Sequence, residues 1–336
     1  MKLLILGGTE FVGRAVAEDA VRRGWEVTVF HRGRFPAPEG TASLIGDRLA
    51  DGGLAPLTDS EAGWDAVVDT WSGAPVAVRD AARLLADRGV RHYAYVSSRS
   101  VYPEETTAAG ADESAAVVDA SPDSTEGDDY ARAKRGGELA AEAAFGDRAL
   151  FVRAGLILGP YENVGRLPWW LTRMRRGGEV LAPGPYDLPL QYIDARDLAA
   201  WTLDAVEGGL GGAYDVVSAP GHATMGEFLE ACVKAASSEG SDAVLRWYEP
   251  EAVLAAGFEP WTELPVWLPP GPLHDYLHSG DTSKARAAGL RCRPVAETVA
   301  DTWAWLRSIG GEAPQRSDRG RKGVDPEREA AFLSAS

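Results

Sequence analysis

The feature that most constrains this chain is a glycine-rich turn close to its first residue. The apolar run LLIL, residues 3–6, leads directly into GGTEFVG, residues 7–13, and a helix-like segment follows. Glycines between a strand and a helix permit a tight turn and let the backbone approach a diphosphate, whose charge then lies at the free N–H groups of the helix. The turn therefore predicts a dinucleotide cofactor. The cofactor-binding residues expected here are Gly7, Thr9, Glu10, Phe11, Val12 and Gly13.

Glu10 stands where the usual spacing Gly-x-x-Gly-x-x-Gly has its middle glycine. The helix dipole favours a carboxylate at the start of a helix when the side chain points to solvent. Its repulsion of a bound phosphate then costs on the order of 1 kcal/mol. We therefore interpret GGTEFVG as a variant of the turn with an exposed Glu10.

Short apolar runs alternate with amphipathic segments over the first half of the chain. Such alternation predicts βαβ units and a parallel sheet, which is an α/β fold. The predicted strands lie at residues 2–6, 26–30, 66–69, 92–97 and 149–152. The predicted helices lie at residues 12–23, 76–88 and 129–144.

The pattern changes after residue 160 to pieces rich in proline and tryptophan. We predict an NAD(P)-binding domain over residues 1–160, completed by a strand and a helix near residues 190–207. Residues 161–310 would be mainly a substrate-binding region. Residues 311–336 are polar and charged, which predicts a mostly mobile tail that contains a candidate short helix at 327–333.

Composition favours small-molecule chemistry. The 336 residues carry a formal net charge of −16, which argues against nucleic acid and anionic membrane as partners. Cys232 and Cys292 belong to no metal-binding cluster, so no metal is expected. No run of about 18 apolar residues is present, and a reducing cytoplasm suits so few cysteines. We expect a cytoplasmic protein that acts on a small-molecule substrate.

The end of the second predicted strand indicates which dinucleotide is bound. An acidic residue there would hydrogen-bond the ribose 2′-hydroxyl of NAD(H), but the residues are His31, Arg32 and Arg34. Basic groups suit a 2′-phosphate, so NADP(H) is preferred over NAD(H). Asp47, after a third strand, is placed to bond the adenine amino group, and Arg48 beside it is included in the expected cofactor site.

A second group of residues suggests acid–base chemistry. Ser98 ends a predicted parallel strand, at the sheet edge where ligands bind in open α/β folds. Tyr130 and Lys134 are four apart on a predicted helix and therefore lie on one face. A phenol is a weak acid at pH 7, and a nearby ammonium stabilises its phenolate. We predict that Ser98 holds a substrate oxygen while Tyr130 moves a proton.

Several motifs together resemble the short-chain dehydrogenase/reductase superfamily, in its extended, sugar-epimerase/dehydratase-like branch. They are GGTEFVG, YVSSRSVYP, YARAK, VRAGLILGPYENVG and QYIDARDLAAWTLDAV, and the resemblance covers about residues 1–310. It implies a Rossmann doubly wound parallel sheet of about seven strands with a smaller C-terminal α/β substrate domain. It also implies a catalytic triad of Ser98, Tyr130 and Lys134, with Lys134 bonding the nicotinamide ribose, and a monomer or a homodimer.

The resemblance leaves more than one function open. Sugar-nucleotide epimerases usually have an asparagine where this chain has Ala154 and Gly155. We therefore predict an NADP(H)-preferring oxidoreductase that reduces a carbonyl or oxidises an alcohol. One alternative is a nucleotide-sugar epimerase or dehydratase in which NAD(P) is not consumed. Another is a non-catalytic cofactor-sensing or RNA-associated protein, although the intact triad favours an enzyme.

Aromatic residues dominate the predicted substrate region. Eight of the eleven tryptophans follow residue 160. Aromatic side chains line pockets for flat or apolar ligands, but they also form cores. The expected substrate-binding residues are Trp169, Trp170, Arg166 and Gln191.

Overall fold

A computed structural model describes residues 1–238, 240–314, 316, 320 and 322–335. The chain forms two compact units, each assembled from three stretches of sequence. The first unit consists of Met1–Gly155, Ala195–Val217 and Asp281–Arg291. The second unit consists of Leu156–Asp194, Ser218–Gly280 and Cys292–Ser336.

The strands are short, as expected for half-buried and buried segments between turns. In chain order they are β1 Lys2–Leu6, β2 Glu26–His31, β3 Ala42–Ile45, β4 Ala66–Asp69, β5 His92–Ser98, β6 Ala149–Ala154, β7 Leu156–Leu158, β8 Glu179–Pro183, β9 Pro189–Leu190, β10 Tyr192–Asp194, β11 Gly212–Val216, β12 Ala223–Thr224 and β13 Val244–Tyr248.

The helices vary from five to sixteen residues. In chain order they are α1 Phe11–Arg22, α2 Ala55–Asp59, α3 Pro75–Asp87, α4 Tyr130–Phe145, α5 Arg166–Arg175, α6 Ala195–Glu207, α7 Met225–Ser237, α8 Pro250–Ala255, α9 Pro272–His278, α10 Ser283–Ala287, α11 Val295–Ser308 and α12 Pro326–Ala335. Among the residues that the structure describes, no helix combines the length and the apolar character needed to cross a membrane.

The first unit is built on a seven-stranded sheet in the order β11-β6-β5-β4-β1-β2-β3. All of its neighbouring strands are parallel. Helix α1 packs with α6, and α3 packs with α4. The expected Rossmann α/β fold is confirmed. The predicted strands end within two residues of the observed ones, and the predicted helices within one.

The strand that completes the sheet lies later in the chain than residues 190–207. In that stretch, β10 pairs with β7 in the second unit, and only α6 belongs to the first. Strand β11 follows α6 and pairs in parallel with β6. A parallel pair needs a crossover connection, and the segment between β6 and β11, which contains α6, supplies it.

The glycine turn brings helix α1 unusually close to β1. Gly7 has φ of 100°, in the left-handed region, and its N–H donates to the Phe30 carbonyl at 3.0 Å. A Cβ at Gly13 would lie 2.1 Å from the Gly7 oxygen. Real Cβ atoms do not approach so closely, so position 13 requires glycine for backbone packing.

The second unit has its own apolar core, in which Trp170 and Trp267 are fully buried. Around it lie two parallel strand pairs, β7 with β10 and β8 with β13, and one antiparallel pair, β9 with β12. Helix α7 packs against α5 and α11. The tryptophans of this unit therefore supply much of its hydrophobic stabilisation.

The predicted mobile tail contains a packed helix. In α12, the Glu329 carboxylate is 4% exposed and accepts Arg173 Nε at 2.6 Å, and Phe332 packs against Tyr248 with ring centroids 4.7 Å apart. A buried charge requires such a partner. The short helix expected at 327–333 is present as Pro326–Ala335, and it is packed rather than part of a mobile tail. Positions 315, 317–319, 321 and 336 of the predicted tail lie outside the described residues.

The Gly13 contact generates a stability prediction. Gly13→Ala should lower the free energy of unfolding by about 2–3 kcal/mol, because the methyl group must displace the Gly7 carbonyl. Gly63→Ala is the matched control, since a Cβ at Gly63 meets no atom within 4 Å. Urea unfolding followed by circular dichroism measures both. Equal stability of the two variants would show that α1 and β1 can separate without cost.

Candidate active site

Tyr130 occupies the first position of α4. The side chain of Asp129 caps the helix by accepting the Arg132 N–H at 3.0 Å. This cap fixes the start of the helix at Tyr130. The Tyr130 side chain therefore lies at the helix end, where it is 36% exposed. Lys134, one turn later, is 3% exposed. One helix face thus carries an accessible phenol and a buried ammonium.

The Lys134 ammonium is held by backbone carbonyls. It donates to the Val96 oxygen of β5 at 2.6 Å and to the Trp71 oxygen at 2.5 Å. It lies 4.8 Å from the Tyr95 ring centroid and 6.0 Å from that of Tyr130. Attraction between a cation and an aromatic face operates over this range. The structure therefore brings the predicted pair Tyr130 and Lys134 together.

Glu138, one turn beyond Lys134, fastens α4 to two strands. Its buried carboxylate accepts Ser97 Oγ at 2.7 Å, Arg153 Nε at 2.9 Å and Arg153 Nη2 at 3.0 Å. Arg135 adds a fourth bond at 3.0 Å. A carboxylate with this many charge-assisted partners is well satisfied without water. We did not identify Glu138 from the sequence, although its spacing of four from Lys134 repeats that of the Tyr–Lys pair.

Ser98 ends β5 and turns inward to a neighbouring hydroxyl. Its Oγ accepts the Ser100 N–H at 3.1 Å and donates to Ser100 Oγ at 3.1 Å, and the residue is 8% exposed. Lys134 is bonded to Val96, two residues earlier on the same strand. Ser98 and Lys134 are therefore anchored to one strand end. Ser100 is a further hydroxyl of the site, which the run YVSSRSVYP contained but which we did not select.

A buried polar network supports the turn that follows Ser98. Tyr102 donates to Asp215 Oδ1 at 2.8 Å and accepts Arg153 Nη1 at 2.9 Å, while Arg99 Nε bonds Asp215 Oδ2 at 3.2 Å. Burial raises the pKa of Asp215 to about 6, and the positive charge of Arg99 opposes that shift. Networks of this kind are rigid when every group is satisfied. They hold the backbone beside Ser98 in place.

The expected cofactor residues at the turn lie where a dinucleotide can be approached. Gly7 is exposed, and Thr9 and Val12 are half-buried. Phe11 opens α1 with φ of 35°, a conformation that non-glycine residues rarely adopt and that often marks functional sites. Glu10 precedes it in an extended conformation with its side chain exposed and no side-chain cap bond. The close approach at Gly13 and the open turn fit a bound diphosphate.

The structure corrects the role of His31. Its Nδ1 accepts the Gly33 N–H at 3.2 Å, so the ring proton lies on Nε2, which donates to Ser43 Oγ at 2.7 Å. Burial lowers the pKa of this imidazole. A neutral, buried ring cannot supply charge to a phosphate. Arg32 and Arg34 are exposed, and the described residues give neither of them a hydrogen bond or ion pair.

Arg48 is also corrected, because its guanidinium is used inside the protein. It is 9% exposed and forms a two-bond ion pair with Asp69, at 2.7 and 3.0 Å. Its sequence neighbour Asp47 is half-buried, and its Oδ1 accepts the Leu49 N–H at 3.1 Å. Only Asp47 of these two therefore remains a candidate for contact with adenine.

Two of the expected substrate-binding residues are structural. Trp170 is fully buried in the second core and donates to the Pro265 carbonyl at 2.7 Å. Gln191 is fully buried, and its amide bonds the backbone of Ser218 and Gly280 at 2.7–3.0 Å. Neither side chain can reach a ligand without breaking the core. Burial in the core therefore explains the aromatic side chain of Trp170 without a ligand.

Trp169 and Arg166 remain partly accessible. Trp169 is half-buried and meets Trp170 edge-on at 4.6 Å. The Arg166 guanidinium lies 5.5 Å from the Trp261 ring centroid. Trp261 has φ of 65°, a second strained aromatic position. Substrate contact by Trp169 and Arg166 therefore stays a prediction.

Glu162 is a buried acid that sequence reasoning missed. It is fully buried, and its two carboxylate oxygens accept the Arg166 N–H at 2.7 Å and the Leu167 N–H at 3.1 Å at the start of α5. Desolvation raises its pKa to about 7, against the opposing charge of Arg166. Its only sequence signal is an acidic residue placed shortly before a helix.

Comparisons with known proteins concern the fold and the family of the chain. The sequence model of the NAD dependent epimerase/dehydratase family matches residues 3–216. No curated protein sequence is a match. Among solved structures, WbmH from Bordetella bronchiseptica in complex with NAD+ is 20% identical, with 92% of this chain and 99% of that chain covered at a TM-score of 0.68.

Two further solved structures have the same fold. UDP-glucose 4-epimerase from Thermus thermophilus, in complex with NAD, is 20% identical over 91% of this chain and 99% of that chain, with a TM-score of 0.62. UDP-N-acetylglucosamine 4-epimerase from Bacillus cereus is 15% identical over 91% of this chain and 99% of that chain, with a TM-score of 0.65. At these identities the likeness concerns the fold.

The buried Glu162 predicts a specific pH dependence. Its pKa is about 7 when folded and 4.5 as a reference, so its contribution to stability is complete below pH 4.5 and is lost as pH rises through 7. We expect the free energy of unfolding of the parent, relative to Glu162→Gln, to fall by about 3 kcal/mol between pH 4 and pH 8. Glu61→Gln, at an exposed position, is the matched control for the loss of one carboxylate. If the difference in free energy of unfolding between the parent and Glu162→Gln does not change with pH, the Glu162 carboxyl does not have a raised pKa.

Proposed function

We propose that this chain, which belongs to the NAD dependent epimerase/dehydratase family, oxidises and re-reduces an alcohol of a sugar-type small molecule without net consumption of NAD(P). It is an NAD(P)-dependent enzyme of the short-chain dehydrogenase/reductase type. The family match covers most of the first unit, and the fold is that of several solved sugar-nucleotide 4-epimerases. These findings support the epimerase or dehydratase alternative over the net oxidoreductase that we first predicted.

The observation that carries the proposal is the placement of Lys134. Its ammonium, fixed by two carbonyls, lies 6.0 Å from the Tyr130 ring centroid. A fixed positive charge stabilises a phenolate more than a phenol. Tyr130 can therefore accept the proton of a substrate hydroxyl and return it, which is what reversible alcohol oxidation requires.

The other groups of the site hold the substrate and the cofactor. When bound, the nicotinamide ring supplies the redox chemistry. Ser98 and Ser100 present two linked hydroxyls, which can orient the substrate oxygen that exchanges its proton with Tyr130. The open turn at Gly7 and the start of α1 would receive the diphosphate. The remaining exposed portion of Tyr130 gives the phenol access to the substrate.

Replacement of the phenol tests the mechanism. Tyr130→Phe should lower kcat by at least about 100-fold, since proton transfer in the transition state is lost while packing is kept. The first substrate to test is UDP-glucose, followed by a panel of nucleotide sugars, with product isomers separated by chromatography. Tyr186→Phe, at a tyrosine 44% exposed in the second unit, should retain parent activity. Parent activity in Tyr130→Phe would overturn the proposed mechanism.

A second candidate is net oxidation or reduction with NADP(H). Ala154 and Gly155 replace the asparagine usual in sugar-nucleotide epimerases, and a Cβ at Gly155 would lie 2.6 Å from Val217.

Arg32 and Arg34 are exposed at the end of β2 with no acidic partner among the described residues. Two uncompensated guanidinium groups suit a 2′-phosphate. We therefore propose a preference for NADP(H) under either function.

The preference for NADP(H) can be measured directly. Arg32→Ala/Arg34→Ala should raise the Kd of NADP+ by at least about 10-fold, which corresponds to about 1.4 kcal/mol, and leave the Kd of NAD+ within about 3-fold. Arg22→Ala, at an exposed arginine of α1, is the control and should change neither value. Calorimetric titration with each dinucleotide supplies the constants. Equal weakening for both dinucleotides would remove the basis for NADP(H) selectivity.

An isotope experiment separates the two candidate functions. UDP-glucose carrying deuterium at the carbon whose hydroxyl reacts is incubated with the enzyme and excess dinucleotide. Retention of the label in the product, with no reduced dinucleotide formed, supports the epimerase-type reaction. Transfer of the label into the dinucleotide pool supports net oxidation. Cofactor binding without turnover of any substrate in the panel would favour a sensing role.

The partners and location also remain proposals. We propose a small-molecule substrate, no nucleic acid or membrane partner, a monomer or homodimer, and a cytoplasmic location. The formal net charge of −16 supports the absence of a polyanionic partner.

A further inference from the structure

Asp69, the last residue of β4, has a completely satisfied buried carboxylate. The residue is fully buried, and Oδ1 accepts Arg48 Nη2 at 2.7 Å and the Trp71 N–H at 2.9 Å. Its Oδ2 accepts Arg48 Nη1 at 3.0 Å and the Tyr93 hydroxyl at 2.6 Å. Four hydrogen bonds leave this carboxylate little freedom to rotate. The Arg48 and Asp69 pair therefore fixes the backbone at Trp71.

Trp71 is held at further points besides its N–H. Its indole N–H donates to the Ala74 carbonyl at 2.9 Å, and the Arg48 guanidinium lies 4.7 Å from its ring centroid. Arg48 thus constrains this residue twice, through Asp69 and through the ring face. The peptide that carries the Trp71 carbonyl has its direction set by these contacts.

The Trp71 carbonyl is one of the two that hold the Lys134 ammonium. It accepts Lys134 Nζ at 2.5 Å and the Tyr95 hydroxyl at 3.0 Å. The other acceptor, the Val96 carbonyl, belongs to the regular strand β5 and cannot readily move. The Trp71 carbonyl lies outside any strand, in the segment after β4. Its position depends on the contacts of Asp69 and Arg48 rather than on a sheet ladder.

A lysine side chain has several rotatable bonds, and fixing it costs conformational entropy. Preformed acceptors lower that cost at the moment of reaction. A buried ion pair is weak support for stability by itself, because desolvation offsets much of its attraction, and its best attested use is to specify geometry. Here the Arg48 and Asp69 pair specifies the geometry of Trp71.

We infer that Arg48, Asp69 and Trp71 form a positioning unit that holds the Lys134 ammonium beside Tyr130. This inference rests on the proposed function, in which Tyr130 carries the proton. Arg48 and Asp69 are both buried and act only through Trp71, so they are positioning residues. No short-range pattern links Arg48 to Lys134, which are 86 positions apart in the sequence.

Two variants of Arg48 test the inference through activity. In Arg48→Met, kcat should fall about 10-fold with KM within about 2-fold, because the lost interaction matters mainly in the transition state. The rise of kcat with pH should also move to higher pH, since the positive charge that stabilises a phenolate is no longer held in place. Arg48→Lys keeps the charge but not the fork-shaped pair, and it should show a smaller shift in the same direction. If Arg48→Met does not fold, the kcat and pH profile of Arg48→Lys test the inference.

The reactivity of Lys134 provides a readout that needs no substrate. Brief treatment with acetic anhydride, followed by peptide mass spectrometry, gives the acetylation rate of Lys134 relative to Lys2, whose side chain is 54% exposed. In the parent, the buried Lys134 should react slowly. Arg48→Met should raise its relative rate at least about 5-fold, as the Trp71 carbonyl no longer holds it.

A matched pair in the second unit controls for loss of stability. Arg173 and Glu329 form a similarly buried ion pair, with side chains 7% and 4% exposed. Arg173→Met should destabilise the protein but leave the pH profile and the Lys134 acetylation rate at parent values. The same changes in Arg173→Met, or parent values in both Arg48 variants, would overturn the inference. Loss of activity in Tyr130→Phe with a parent-like Arg48→Met would refute the positioning unit and leave the proposed function standing.

Discussion

The candidate site depends on the attachment of helix α4 to the end of β5. Lys134 and Glu138 both lie on the face of α4 that carries Tyr130, and each bonds β5, one at the Val96 carbonyl and the other at Ser97 Oγ. Burying an ammonium and a carboxylate is costly unless each is hydrogen-bonded. The helix can satisfy both only in one register against the strand. The face that presents the phenol is therefore the face that the buried charges fix.

Local patterns were enough to predict most of the sheet and the main helices of the first unit. The alternation of apolar runs and amphipathic segments predicted five of its strands and three of its helices within two residues, because each of these elements follows from its own periodicity. The glycine turn and the four-residue spacing of Tyr130 and Lys134 are likewise local. Their contact follows from helix geometry alone. The family match agrees with the resemblance that these same motifs suggested.

Several of the errors concern residues whose partners are distant in sequence. Arg48 resembled a cofactor ligand because it follows a strand, but its partner Asp69 is 21 positions away. Trp170 bonds Pro265 across 95 positions, and Glu329 in α12 bonds Arg173 across 156. Only tertiary packing brings such groups together, and burial then decides whether a polar or aromatic residue is structural or functional. The polar composition of residues 311–336 also predicted mobility for α12, but the buried Glu329 carboxylate holds this helix to Arg173.

The interleaved arrangement of the two units has a consequence for synthesis of the chain. The sequence passes between them five times, so neither unit is a continuous piece. Strand β6 ends at Ala154, but its outer neighbour β11 begins only at Gly212. At translation rates of about 5–20 residues per second, the ribosome needs about 3–12 s to supply that strand. Throughout this interval the nascent sheet has an unpaired edge at β6, where pairing with another chain competes with completion of the fold.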